Sequence, residues 1–456
     1  MVEHKANKDL AADIPGGAKV LLYGTGSSAV YFIQQHQQAL NLVGVTDGQV
    51  NAPLFQHFPC FPLQDISQID CDFIVVASWA ITDISQRLMN SGVAKEKILW
   101  FQHNKNRVVA CDHPDALVSH QELSNDNILY AFYDLDVART TYDVLGFLCL
   151  ADMAREKAEC DAVHVVVVNA SNNDFNVAAR GIISTKEHVW RKRQILAQSC
   201  GLLPTCSGFS FTSTRQEAIS LFEQAKHIFP EDYQVTKPTA CWEFDNLFKV
   251  TQLVNDVSRL QASEQARNLV QQFLDNVNPI AANGERKKVI CITLRESDIK
   301  PARNSNLVEW QAFIQQLDKN TYFPLILPDT DNSWSESLMA FIADTGAAVF
   351  TEACFNVELR MAIYELSYVN LGVNNGPMHL CALSPTCRYI MYKQVTEDYA
   401  HTSTQSFIDR GFTIGGDFAG ANQWQKLVWA DDDAPVIQES FERLVAEIEA
   451  SSASDK

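Results

Sequence analysis

Hydrophobic and polar positions alternate along this chain in a rhythm that predicts strands and helices in turn. KVLLYG at residues 19–24 is a short apolar strand signal, and SAVYFIQQHQQAL carries an apolar face at helical spacing. NLVGVTD and DFIVVAS read as two further strands, ITDISQRLMNSGV as a helix stopped at Gly92, and KILWF as a closing strand. A polar stretch over 103–125 reads as a linker. A second block begins with NILYAFYDL, a strand ending in acids, and continues through a helix to VHVVVVNA. Apolar residues on both faces of that strand suit a parallel sheet buried on two sides. The pattern is mixed from 171 to 250 apart from a helix near TRQEAISLFEQAKHIFP, and a long helix over 246–277 closes the block. Tyr233 and Trp242 read as core or interface aromatics.

The third block gives the clearest βα alternation. KKVICITLRES, YFPLILPDT, AAVFTEA, YVNLGVNN and RYIMYK read as strands, LVEWQAFIQQLD, NVELRMAIYELS and PMHLCALS as helices, and the acidic tail after Ala434 as a terminal helix. These patterns predict an α/β protein with three Rossmann-like parallel-sheet domains, at 1–108, 109–282 and 283–456. A length of 456 residues requires such a division, because one ordinary core does not extend that far.

Charge and cysteine usage narrow the function. A net charge of −19 argues against a nucleic-acid partner, since phosphate backbones call for a basic surface. The 12 cysteines, without a CxxC or zinc-type spacing, read as reduced thiols of a cytoplasmic protein. The first residues lack a signal-like apolar run, and no stretch is long enough for a transmembrane segment.

Two corners carry candidate chemistry. In the first block Gly24, Gly26 and Ala29 lie between a strand and a helix, and Asp47 ends the next strand. That spacing fits a dinucleotide fingerprint, in which glycines admit a pyrophosphate and the acid holds ribose hydroxyls. NAD(P) or another nucleotide is the cofactor to be expected there, and an empty Rossmann-like turn is the alternative. The stretch resembles nucleotide-binding-like domains attached to enzymes of bacterial sugar and surface-polysaccharide synthesis.

The second corner is LGVNNGPMHLCALS. Asn374 and Asn375 can cap the helix that follows, Gly376 removes a side chain, and Pro377 suits a first helical turn. Amides there would face the crevice at the carboxyl edge of the sheet. Arg295, at the end of the block's first strand, is the candidate guanidinium across that crevice, with Arg303 to Asn306 in an exposed loop.

This third block is similar to the donor-binding domain of GT-B glycosyltransferases, and NNGPMHLCAL resembles the Gly-x-x-His-Leu segment of the heptosyltransferase-like group. The sequence departs from that group after the histidine, with Leu-Cys-Ala-Leu-Ser-Pro in place of a run of alanines. The resemblance implies that Gly376, Pro377, Met378 and His379 line a nucleotide-sugar diphosphate, with Arg295 as cation and Glu352 toward the ribose. It also implies that the last two blocks form a GT-B-like pair, with an inverting, metal-independent transfer that needs no cofactor. In that reading Asp134 or Asp136 is the catalytic base, and Arg139, Thr140 and Thr141 bind the acceptor. ADDDA at 430–434 reads as a solvated acidic turn rather than a metal motif. The partners would be a nucleotide-sugar donor and a carbohydrate acceptor, in surface polysaccharide synthesis and beside a polysaccharide-assembly complex. An NAD(P)-dependent oxidoreductase or epimerase of nucleotide sugars, and a non-catalytic nucleotide-binding protein, are the alternatives.

Overall fold

A computed structural model describes residues 14–48, 52–113, 127–171, 184–239, 257–280, 284–418 and 420–454. The fold is α/β with three mostly parallel sheets, and the chain divides into two units, residues 1–122 and 123–456.

In the first unit, strands β1 (Lys19–Tyr23), β2 (Asn41–Asp47), β3 (Leu54–Phe55), β4 (Phe58–Pro62), β5 (Phe73–Val76), β6 (Ile98–Gln102) and β7 (Arg107–Ala110) stand in the order β3-β4-β2-β1-β5-β6-β7. Alternate side chains of β1 serve opposite cores. Val20 and Leu22 pack with Phe32 and Ile33 of helix Ser27–His36, whereas Leu21 and Tyr23 pack with Ile81, Ile84 and Leu88 of helix Ile81–Asn90. β7 corrects the sequence reading of a linker over 103–125. It pairs antiparallel with β6 and buries Val108 and Val109, so the sheet runs on past residue 108. Residues 114–126 lie outside the described residues.

The second unit holds two parallel sheets. One contains β8 (Ile128–Asp134), β9 (Ala162–Val168), β10 (Cys206–Phe211) and β11 (His227–Phe229) in the order β10-β9-β8-β11. The other contains β12 (Lys288–Thr293), β13 (Tyr322–Leu327), β14 (Ala348–Val349), β15 (Val369–Val373), β16 (Tyr389–Tyr392) and β17 (Gln425–Leu427) in the order β14-β13-β12-β15-β16-β17. That second order is doubly wound and reverses direction between β12 and β15. A single apolar cluster runs from β8, β9 and helix Val144–Lys157 into Val289, Met361, Tyr364 and Leu380 of the third block. The two sheets therefore share a core.

Two further expectations are revised. Of the helix expected over 246–277, the described part is Glu264–Val277, which the Ser263 side chain caps by accepting the Ala266 N–H. Over 257–263 the chain is irregular, and the Leu260 N–H donates to the Leu383 carbonyl. Residues 246–256 and Trp242 lie outside the described residues. The acidic turn at 430–434 is not wholly solvated. Asp432 is 1% exposed and accepts hydrogen bonds from the Asn306 N–H and Trp310 Nε1, both at 2.8 Å. The terminal helix Ala434–Ser454 then buries Ile437, Phe441, Leu444 and Ile448 along one face.

Asp134, at the end of β8, anchors the smaller sheet. Its carboxylate takes Arg215 Nη2 at 2.8 Å and Nη1 at 3.0 Å, the Tyr233 hydroxyl at 2.7 Å and the Asp136 N–H at 3.0 Å. Removing the carboxylate leaves the buried Tyr233 hydroxyl without that acceptor and Arg215 with Asp136 as its carboxylate, so Asp134→Ala should lower unfolding free energy by about 1–3 kcal/mol in urea titrations. A loss below about 1 kcal/mol would show that the network is not an anchor.

Candidate functional site

The carboxyl ends of β12 and β15 flank the point at which the strand order reverses, where an open α/β sheet leaves a crevice. Two loops leave those ends, 294–306 and 374–378. A cavity of about 220 Å³ opens beside them, walled by Arg303, Asn374, His379 and Gln394. The β8 side supplies Arg139 and Asp143, and the segment after β16 supplies His401, Phe407 and Arg410. The cavity thus lies between the two sheets of the second unit.

Arg303 is the central cation. Lys300 takes a left-handed conformation (φ 61°), and the short turn Pro301–Arg303 follows, bringing Arg303 back toward β15. Its Nη2 donates to the Asn374 carbonyl at 2.9 Å, joining the two loops across the switch point. Among the described residues no carboxylate forms an ion pair with it. Burial, and then the neighbouring Arg295, push its pKa down to about 10. It remains charged at neutral pH, at a cost in desolvation. Arg410 adds a second guanidinium, held by the carbonyl of Ser406 at 3.0 Å and by that of His401. Arg139 adds a third. Asp143 is the one carboxylate among the described lining residues, and its Oδ2 accepts the Thr141 hydroxyl at 2.8 Å. In a chain of net charge −19, this is a local concentration of positive charge.

His379 stands in the same wall. Desolvation, with Arg303 and Arg410 nearby, pushes its pKa down to about 3, so the imidazole is neutral at physiological pH.

Several residues singled out from sequence have other roles. Arg295 does not face the cavity: its Nη2 donates to the Ile299 carbonyl at 2.6 Å, its Nη1 to the Lys300 carbonyl at 3.2 Å and to Asn304 Oδ1. It staples its own loop, and Arg303, read as part of an exposed loop, takes the place facing β15. Asp134 is committed to the anchor described above, with 2% exposure. Asp136 accepts the Ser171 N–H at 2.7 Å and hydroxyl at 2.5 Å and pairs with Arg215 at 2.9 Å. Neither lines the cavity; among the described residues the carboxylate that does is Asp143.

The glycine corner is also filled differently from expectation. Asn375 caps as predicted, its Oδ1 accepting the Met378 N–H at 3.0 Å. Asn374 does not cap; its Nδ2 donates to the Gln394 carbonyl at 3.2 Å. Gly376 lies against Tyr142, and a Cβ there would come within 2.8 Å of the ring. Met378 is fully buried, packed under Gly372. Gly376, Pro377 and Met378 do not line the cavity, whereas Asn374 and His379 do. The helix that follows spans only His379–Ala382, too short to aim a dipole. Glu352 is exposed in the turn Thr351–Cys354 and does not line the cavity. Thr140 is buried, with its hydroxyl 3.3 Å from His188 Nδ1, and Thr141 bonds Asp143.

In the first unit, Gly24 adopts φ +125° and its N–H donates to the Thr46 carbonyl. Gly26 caps helix Ser27–His36, and Ala29 is buried beneath the turn. Asp47 clasps that turn: its Oδ2 accepts the Thr25 N–H at 2.8 Å and hydroxyl at 2.6 Å, and its Oδ1 the Gly48 N–H at 2.6 Å. The carboxylate serves the loop itself. Among the described residues, no cluster of three or more His, Cys, Asp or Glu could hold a metal ion, and no helix is long and apolar enough to cross a membrane.

The second unit is thus a pair of parallel α/β sheets with a cationic cavity at a switch point. No family model and no curated protein matches the chain. Among solved structures it is similar to a glycosyl transferase of family 9 from Veillonella parvula DSM 2008, at 10% identity over 69% of this chain and 89% of that one, with a TM-score of 0.39. It is also similar to ADP-heptose LPS heptosyltransferase II of E. coli, at 12% identity over 71% and 99% of the two chains, with a TM-score of 0.38. An α/β-galactoside α-2,3-sialyltransferase from Photobacterium phosphoreum aligns at 8% identity over 90% and 98%, with a TM-score of 0.25.

Two outcomes follow from the charges. As pH falls from about 6.5 toward 3, the unfolded chain protonates His379 while the folded protein holds it neutral, so stability is lost through that window. His379→Gln should shrink the stability difference between pH 7 and pH 5 in urea titrations; an unchanged difference would contradict the neutral imidazole. Arg303 lacks a carboxylate, so Arg303→Met should raise stability at pH 7 by about 1 kcal/mol, read as a higher Tm. A lower Tm would mean that the guanidinium is structural.

Proposed function

We propose that the second unit is a glycosyltransferase, which moves a sugar from a nucleotide-sugar donor to a hydroxyl of a glycan acceptor, of the kind built into bacterial surface polysaccharide by a cytoplasmic enzyme. The observation that carries this reading is Arg303, a desolvated guanidinium with no carboxylate partner among the described residues, facing a cavity shared with Arg139 and Arg410. A diphosphate matches it in charge and geometry, because guanidinium groups bind phosphate oxygens in bidentate fashion.

Transfer divides between the two sheets. Asp143, on the β8 side, takes the proton of the acceptor hydroxyl while that oxygen attacks the anomeric carbon of the donor. The bond from that carbon to the diphosphate oxygen breaks, and Arg303, Arg139 and Arg410 stabilise the negative charge that collects on the leaving diphosphate. The neutral His379 adds a hydrogen-bonding group without adding charge. The first unit is an accessory module whose glycine turn, clasped by Asp47, takes no part in transfer. These assignments rest on the placement of the charges in the cavity.

Isothermal titration with pyrophosphate tests the anion site. Arg303→Met should weaken binding by about 1.5–3 kcal/mol, the range for a charged hydrogen bond; equal affinity would remove Arg303 from the site. A panel of nucleotide sugars tests the reaction. Asp143→Asn should retain donor affinity while lowering turnover about 10²–10⁴-fold. Undiminished turnover would exclude it as the base.

A further inference from the structure

Two amide side chains in the cavity wall are fixed in a way that anion binding does not explain. Gln394 is 3% exposed, and its Nε2 donates to the carbonyls of Met391 at 2.6 Å and Tyr392 at 3.4 Å. Asn374 is 8% exposed, and its Nδ2 donates to the Gln394 carbonyl. Because each partner is a carbonyl, the NH₂ end of each amide must face it, and the orientation of both groups is settled. Gln394 Oε1 and Asn374 Oδ1 are left as acceptors, and neither receives a hydrogen bond among the described residues. Neither oxygen is sealed in the protein, and both residues line the cavity.

Fixed acceptors beside a guanidinium repel phosphate oxygens and demand a donor. A ligand satisfies the whole wall only if its anionic group bears hydroxyls close by. Inorganic phosphate has only the P–OH of the anion itself to offer the two oxygens, and an apolar ester adds no hydroxyl to it; an unmet polar group in a largely buried wall costs more than a weak contact. We propose that Gln394 and Asn374 form a hydroxyl-reading subsite, which selects a phosphate ester of a polyol and sets the specificity of the site. This inference rests on the anion-binding reading of the cavity given above. The polyol is either the transferred sugar or the ribose of a nucleotide, since both present adjacent hydroxyls.

Competition binding on the whole protein, with inorganic phosphate, phenyl phosphate, glucose 1-phosphate and ribose 5-phosphate as probes, tests it. At least one polyol ester should bind 10-fold or more tightly than inorganic phosphate, and phenyl phosphate should gain nothing. Preference for glucose 1-phosphate assigns the subsite to the transferred sugar, and preference for ribose 5-phosphate assigns it to the ribose. Gln394→Met, which keeps the side-chain volume, should erase that preference and leave inorganic phosphate affinity unchanged. Equal affinity for all four probes overturns the subsite and leaves the anion site standing, and so does a preference that survives in Gln394→Met. If Gln394→Met does not fold, the wild-type ranking decides alone. Binding of none of the four overturns the anion-binding reading and the subsite with it.

Discussion

The hydrogen bond from Arg303 to the Asn374 carbonyl is the constraint on which the site depends. It joins the loop after β12 to the loop after β15, across the point where the sheet reverses direction. A guanidinium there is largely desolvated, and among the described residues a main-chain carbonyl and the face of the Tyr399 ring, 5.7 Å away, compensate it without a carboxylate. Such a charge is costly to hold without a counter-ion, and the proposed anion would offset that cost. Its neighbours follow from it. Arg295 keeps the loop in shape with its own carbonyls, Lys393 Nζ steadies the loop at the Asn304 carbonyl, and Asp432 holds the Asn306 N–H.

The second sheet contributes through rigidity. Arg215 and Tyr233 occupy the Asp134 carboxylate, which fixes the end of β8 and hence the loop that carries Arg139 and Asp143. The Tyr142 ring against Gly376 brings that loop onto the glycine corner. A side chain at 376 would push the two loops apart, so the glycine answers a need for close approach between sheets. The same contact explains why the corner does not serve as an open phosphate notch.

Much of the fold was legible because parallel strands buried on both faces, such as VHVVVVNA and KVICIT, leave an apolar run that little else produces. The corner at Asn374–His379 was legible as a strand-to-helix turn at a carboxyl edge. Which arginine would face it was not. Arg295 and Arg303 lie in one loop, and the choice turns on the left-handed Lys300 and the turn after it. Asp134 and Asp143 both precede a helix, but the partner that occupies Asp134 lies 81 residues away. The segment from Lys393 to Ala430 carried no strong periodicity. Apart from β17 at its end, it nonetheless supplies Gln394, His401, Phe407 and Arg410 to the cavity wall, through turns and a short helix that leave little pattern.

Diffraction from crystals soaked in tungstate, a heavy-atom analogue of phosphate, tests the central claim most directly. The account predicts an anomalous peak within hydrogen-bond reach of the Arg303 guanidinium, in the cavity shared with Arg139 and Arg410. A peak at the amides of Gly376–Met378 instead, or a cavity without one while tungstate occupies other basic sites, would contradict it.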